Sequence, residues 1–259
     1  MKKISSLLVV LLLMLASFTA GVEYQRGDVD QDGRVNISDV TCLIDYLLKG
    51  SWPEDPVTPP NTHEWVDLGL PSGTLWATCN VGANNPEEYG SYFAWGETSP
   101  KEVYSEETYK WCNGSDRTMT KYCTNSSYGY NGFTDGKTEL DPEDDAAWVN
   151  WGPQWRMPTM EQQKELDNNC SWTWTKRNGV YGQLGTGPNG NTIFLPAAGN
   201  HWLEYFNYAG STGYYWSRTL RSINYQAYYM YFNSGGVSWN YYATRSDGLT
   251  VRAVRVSEN

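Results

Sequence analysis

Twelve residues near the amino terminus carry the clearest chemistry of the chain. Asp28, Asp30, Asp32, Asn36 and Asp39 fall at positions 1, 3, 5, 9 and 12 of one stretch, with Gly33 at position 6 and Arg34 at position 7. Side-chain oxygens at those positions, a glycine at the sharp turn and a backbone carbonyl at position 7 wrap one hard cation. Four carboxylates brought this close repel one another unless a cation sits among them. The expected cofactor is Ca²⁺, held by Asp28, Asp30, Asp32, Arg34, Asn36 and Asp39; a set this rich in protein oxygens suits the larger ion better than Mg²⁺. Downstream, Val40, Leu43, Ile44, Leu47 and Leu48 share one helical face, and Gly50 is a fitting stop.

For catalysis the chain offers less. His63 and His201 are its two histidines, and neither lies in a recognisable nucleophile–base setting. There is no HExxH, GxSxG or phosphate loop. Paired carboxylates remain open in principle, with Glu139, Asp141, Glu143, Asp144, Asp145 and Glu204 as candidates. The run 139–145 reads more simply as a helix start, where negative charge meets the positive end of the dipole. The expectation is a protein that is not an enzyme.

A different chemistry gathers in residues 201–245, which hold ten of the 20 tyrosines together with Trp202, Trp216 and Trp239 and several asparagines. Tyr and Trp provide contact area with few rotors to freeze, while Asn, Ser and Gly provide adaptable hydrogen bonds. Aromatic faces also suit the axial C–H patches of sugar rings. The expected ligand contacts are Trp202, Tyr205, Tyr208, Asn224, Tyr225, Trp239, Asn240 and Tyr242. Strand alternation turns about half of such a segment inward, Trp216 and Phe232 above all.

These groups need a framework. Lys2 and Lys3 stand before an apolar run from Leu7 to Leu15, with small residues after it, so residues 1–21 read as a signal peptide. The run is too short for a hydrocarbon core about 30 Å thick. No cysteine follows it to accept lipid, so the expected location is secreted, periplasmic or cell-surface, with no transmembrane span. Residues 22–50 form the calcium module, 51–63 a proline-rich spacer, and 64–259 the main domain. A formal net charge of −10 argues against a nucleic-acid partner. Of the five cysteines, Cys79, Cys112, Cys123 and Cys170 fall in the main domain, and the short Cys112–Cys123 loop is the favoured of three pairing schemes.

Two short helices are placed by their caps. Asp141 precedes Pro142 and Asp144, leading into AAWV, and Thr159 with Gln162 makes a capping box ahead of Gln163–Asn168. Short β-prone runs are expected at 74–79, 91–95, 192–196, 214–217, 227–232, 237–243 and 249–256. The fold class read from this pattern is α+β.

The stretch GDVDQDGRVNISDVTCLIDYLLKG resembles one repeat of a type I dockerin, a family in which Asp stands at the twelfth loop position as Asp39 does here. That resemblance implies an EF-hand-like loop and helix that docks onto a cohesin-like protein, often in polysaccharide-degrading assemblies. Dockerins carry two such repeats, and residues 51–63 do not supply a second.

Over nearly its whole length the main domain resembles the Fibrobacter succinogenes major paralogous domain family. The match runs through VDLGLPSGTLWATCNVGA at 66–83, YGSYFAWGE at 89–97, EDDAAWVNWGPQWRMPT at 143–159, IFLPAAG at 193–199, GYYWSRTL at 213–220 and LTVRAVR at 249–255. It implies an exported protein with a C-type-lectin-like fold related to the formylglycine-generating enzymes. The oxidase activity of those relatives needs a late cysteine pair, and no cysteine follows Cys170. The calcium-dependent sugar site of true lectins is missing as well, since Tyr241 and not a carboxylate follows Trp239-Asn240. The resulting expectation is a non-enzymatic binding protein presenting an aromatic surface to a glycan or protein. Its alternative is a dockerin-bearing accessory protein or glycoside hydrolase of polysaccharide breakdown.

Overall fold

The computed structural model describes residues 63–255 together with the single position Val40. The expected signal peptide, calcium ligands and spacer therefore lie outside the described residues, apart from His63. The chain divides between Asn61 and Thr62 into two units, and the second unit holds all the elements named below.

In chain order its elements are β1 (Trp65–Asp67), β2 (Leu75–Ala77), α1 (Ala146–Trp151), β3 (Trp155–Arg156), α2 (Met160–Asn169), β4 (Ser171–Arg177), β5 (Val180–Thr186), β6 (Thr192–Pro196), β7 (Asn200–Trp202), β8 (Tyr205–Asn207), β9 (Gly213–Leu220), β10 (Gln226–Asn233), β11 (Gly236–Thr244) and β12 (Val254–Arg255). The strands form four small sheets, ordered β1-β2-β12-β3, β4-β5-β6, β7-β8 and β11-β10-β9, with every pairing antiparallel. Among the described residues no helix is long and apolar enough to cross a membrane.

This architecture overturns the expected α+β, C-type-lectin-like class: the domain is mostly β. Among the described residues of this domain, helix is confined to six residues of α1, ten of α2 and two 3₁₀ turns. The reason lies in the spacing of turn residues. Positive-φ glycines recur along the chain, at Gly69, Gly73, Gly82, Gly90 and Gly96 within one 28-residue stretch, which leaves too little uninterrupted chain to repay helix nucleation. The helix that does reach ten residues has the capping box expected from Thr159 and Gln162, each side chain bonded to the other's backbone amide.

The first helix corrects its expected cap. Asp141 flanks the 3₁₀ turn Pro142–Asp144 and makes no capping bond. Asp145 caps α1 instead, because its carboxylate reaches the amides of Ala147 and Trp148. Proline at 142 sets up the turn, but a fresh N-cap starts the helix three residues later.

The sheet β9–β11 is covered by apolar side chains on both faces. Trp216, Leu220, Ala227 and Tyr229 join a cluster with Trp95, Trp155, Leu249 and Val251. Tyr215, Met230 and Phe232 join a second with Trp76, Leu166, Ile193 and Leu195. Gly213 is required here, since a Cβ on it would lie 2.1 Å from the Phe232 ring. Its outer strand, β11, leaves Asn240, Tyr241 and Tyr242 exposed. Fully buried Arg245 ties the end of β11 to the loops before it: Nε donates to Tyr109 Oη at 2.8 Å, Nη1 to Asn224 O at 2.9 Å and Nη2 to Lys121 O at 3.0 Å, with the guanidinium 5.0 Å from the Trp95 ring.

Cys79, Cys112, Cys123 and Cys170 are free thiols. The expected Cys112–Cys123 bridge is absent, and each of these two thiols is turned to a carbonyl: Cys112 Sγ donates to Glu106 O at 3.0 Å, and Cys123 Sγ to Asn125 O at 3.2 Å.

Candidate functional site

Two regions concentrate side chains capable of chemistry, and they are put to opposite uses. In the acidic run, Asp144 is buried and Asp141, Glu143 and Asp144 bring carboxylate oxygens within 4.8 Å of one another. That grouping is already filled. Lys121 Nζ lies 2.6 Å from Asp144 Oδ2, 2.7 Å from Asp141 Oδ2 and 3.5 Å from Glu143 Oε1. Tyr122 Oη donates to Asp144 Oδ2 at 2.6 Å, and Lys137 closes on Asp141. Burial opposes the charge on Asp141, yet the hydrogen bonds from Lys121 and Lys137 hold its carboxyl below the usual range. An ammonium occupies the place a metal would take, so this cluster is a structural ion-pair network.

The rest of the run is similarly committed. Asp145 Oδ1 accepts the amides of Ala147 at 2.9 Å and Trp148 at 3.2 Å, and its Oδ2 accepts Met157 N at 2.9 Å. Burial pushes this carboxyl upward against the pull of the Met157 amide and Arg218. Glu139 pairs with Arg218 Nε at 3.5 Å. Of the six acids considered for catalysis, Glu204 alone stands away from the network, exposed at a hairpin tip.

That hairpin is the second region. β7 and β8 pair Asn200 with Asn207, His201 with Phe206 and Trp202 with Tyr205. Alternation then sets the Trp202–Tyr205 and Asn200–Asn207 pairs on one face and His201–Phe206 on the other. The second face is the anchored one: the His201 and Phe206 rings stack at 4.8 Å, and Tyr92 meets both edge-on at 4.7 and 5.5 Å. His201 exchanges both backbone hydrogen bonds with Gly248, at 2.8 and 2.9 Å, and Leu203 does so with Tyr104, at 3.0 Å each way. Burial lowers the His201 pKa, and its Nδ1 has no hydrogen-bond partner among the described residues.

On the outer side Trp202 and Tyr205 are each 54% exposed; Phe206, on the anchored face, still keeps 48% exposure, and Tyr208 just past the hairpin 63%. Leu203 and Tyr208 both hold left-handed backbone, φ 54° and 59°, a conformation that costs a bulky residue about 1–3 kcal/mol and persists where surrounding bonds enforce it. From Tyr208 a run of ring contacts leads across the sheet: Tyr208 to Tyr214 at 6.3 Å, Tyr214 to Tyr231 at 5.6 Å and Tyr231 to Tyr241 at 4.6 Å. Burial first, and the neighbouring phenols second, push Tyr214 to about 12, so its hydroxyl stays protonated.

The other expected contacts divide. Tyr242 is exposed with the Arg221 guanidinium 3.4 Å from its ring centre, and Asn240, also exposed, accepts from Ser238 Oγ at 2.9 Å. Trp239 is half-buried under the Lys164 ammonium, 5.1 Å from the ring. Tyr225 is half-buried edge-to-face with Tyr128 at 5.6 Å. Asn224 departs from expectation: it is fully buried, its Oδ1 accepting Thr124 N and Asn125 N at 2.8 Å each and its Nδ2 donating to Thr124 Oγ1 at 3.0 Å. A side chain spent on that loop has nothing left for a ligand.

Sequence reasoning passes over the Asn200–Asn207 pair and Phe206. The signal is present, since N-H-W-L-E-Y-F-N mirrors itself about Leu203-Glu204 as a two-residue hairpin does. It also passes over Asp247, which precedes the Gly248 that anchors β7. Burial, reinforced by Glu106, pushes this carboxyl up to about 7.

Among known families, the dockerin type I domain matches residues 26–64, a span that covers the expected calcium loop and continues through the proline-rich stretch. No curated protein matches the chain, and no solved structure does.

Proposed function

We propose that this chain is an exported, non-enzymatic binding protein whose main domain presents an aromatic surface to a glycan or protein, while residues 26–64 act as a calcium-dependent docking module. One observation carries the first half: Trp202, Tyr205, Phe206, Tyr208, Tyr241 and Tyr242 are all exposed within 41 residues, on backbone that is fully hydrogen-bonded into the fold at His201 and Leu203. Large rings that keep this much surface in water on a rigid frame are free to contact a ligand. The dockerin match supports the second half, with Asp28, Asp30, Asp32, Arg34, Asn36 and Asp39 as ligands and a cohesin-like protein as partner. Such modules belong to secreted or cell-surface proteins. The resemblance of residues 64–259 to the Fibrobacter family supports export as well.

The test is direct. Titration of the metal-free secreted chain with Ca²⁺ is expected to release heat for a single site, and Asp28→Ala with Asp32→Ala to abolish it; no heat with the native chain overturns the docking module. A glycan array is expected to show binding with no release of reducing sugar.

A second reading has one observation in its favour. Asp247, protonated to about pH 7 beside Glu106 and next in sequence to the hairpin's anchor, has the properties of a general acid in a glycoside hydrolase. Sugar release lost in both Asp247→Asn and Glu106→Gln would establish that reading in place of the first.

A further inference from the structure

Building on the binding reading above, we infer that the outer face of the β7–β8 hairpin is the contact platform and that its ligand is an uncharged glycan chain. The face alternates two kinds of group that sugars engage together. The Trp202–Tyr205 pair offers ring surface for axial C–H patches, and the Asn200–Asn207 pair, on the same face of the hairpin, offers amides to the hydroxyls at the ring's edge. Asn200 Oδ1 is buried and has no hydrogen-bond partner among the described residues, so a rotation of the amide is needed to bring this unmet acceptor to a hydroxyl donor. Asn207 Nδ2 makes one long bond, 3.2 Å to Tyr205 O, and keeps capacity for another.

Charge decides the class of glycan. Residues 199–213 contain no lysine or arginine and one acid, Glu204. The arginines of the neighbouring sheet are already engaged: Arg218 on Leu140 O, Glu139 and Asp145, and Arg221 on Gln226 and the Tyr242 ring. A uronic or sulfated polymer would meet no counter-charge here and would face a chain of net charge −10. The platform also arrives already ordered. With its backbone bonded on both flanks and its underside packed edge-on against Tyr92, it loses little conformational freedom on binding. Among its exposed side chains the large apolar ones are all aromatic.

The experiment is native affinity electrophoresis of the whole secreted chain through gels holding mixed-linkage β-glucan, xyloglucan or galactomannan, with polygalacturonate and chondroitin sulfate as charged comparators. At least one neutral polymer is expected to retard the native chain and the charged ones not to. Trp202→Ala/Tyr205→Ala is expected to weaken retardation about tenfold, and Tyr241→Ala/Tyr242→Ala less than about threefold. If the double hairpin variant does not fold, Tyr205→Ala and Asn207→Ala are each expected to weaken it by about threefold or more. Loss of retardation in the Tyr241/Tyr242 variant alone overturns the platform while leaving the binding reading standing. Retardation by charged polymers alone overturns the ligand class. Indifference of the native chain to every polymer overturns the inference and leaves a protein ligand as the surviving form of the binding reading.

Discussion

The acidic run 139–145 and the aromatic hairpin 200–207 both hold side chains capable of chemistry, and the folded chain puts them to opposite uses. In the fold, Asp141, Asp144 and Asp145 are saturated by Lys121, Lys137, Tyr122 and four backbone hydrogen bonds, whereas Trp202 and Tyr205 stand in solvent with their strand clamped beneath them. What separates a structural group from an available one is whether its partners lie within the chain. The residue type alone does not decide it.

Perturbing the closed region should therefore cost stability, and perturbing the open one should cost binding alone. The largest expected effect is that of Asp145→Ala, which leaves the buried amides of Ala147, Trp148 and Met157 without their acceptor; unfolding in urea should show a loss of about 4 kcal/mol. Next comes Lys121→Met, which strands Asp144 with only Tyr122 and the 3.4 Å contact to Lys110; a loss of about 3 kcal/mol is expected, with the helix signal of α1 weakened first.

A third prediction uses pH. Asp247 titrates near 7 in the fold against 3.8 in its ordinary state, so the folded chain holds the proton more tightly. The stabilisation is fully present below about pH 4 and is lost as pH rises through 7. Asp247→Asn is expected to raise stability at pH 8 by about 2 kcal/mol and to flatten the profile between pH 5 and 8; an unaltered profile would show that this carboxyl is solvated. The smallest effect is expected from Trp202→Ala, whose stability should stay within about 0.5 kcal/mol of the native chain in the same urea titration. A loss above about 2 kcal/mol would place that ring among the packing residues and dissolve the contrast between the two regions.

Local signals are legible where they are sufficient in themselves. The Thr159–Gln162 capping box needs nothing beyond four residues, and β6 occupies the expected 192–196 because a β-branched and aromatic run there ends at proline. The hairpin β4–β5 is equally available in principle: Asn178-Gly179 adopt φ 46° and 88°, the left-handed pair that a two-residue turn requires. The run 91–95 goes the other way. It has strand composition, yet it contributes a single bridge from Phe93 to Leu249, since the chain turns at Gly90 and Gly96 on either side. The buried roles of Asn224 and Arg245 leave no local trace, because the groups that fix Asn224 Oδ1 and the Arg245 Nε and Nη2 lie about 100 and 120 or more residues away along the chain.

Residue order is enough to read a dockerin-like calcium loop, whose expected ligands come from one twelve-residue stretch with spacing set by covalent geometry, and to make the late part of the chain rich in rings and amides. Which of those rings face water, and which acids find an ammonium, is settled by the assembled fold. Those outcomes depend on contacts between residues far apart in the chain, and burial is a property of the assembled surface that no local spacing encodes.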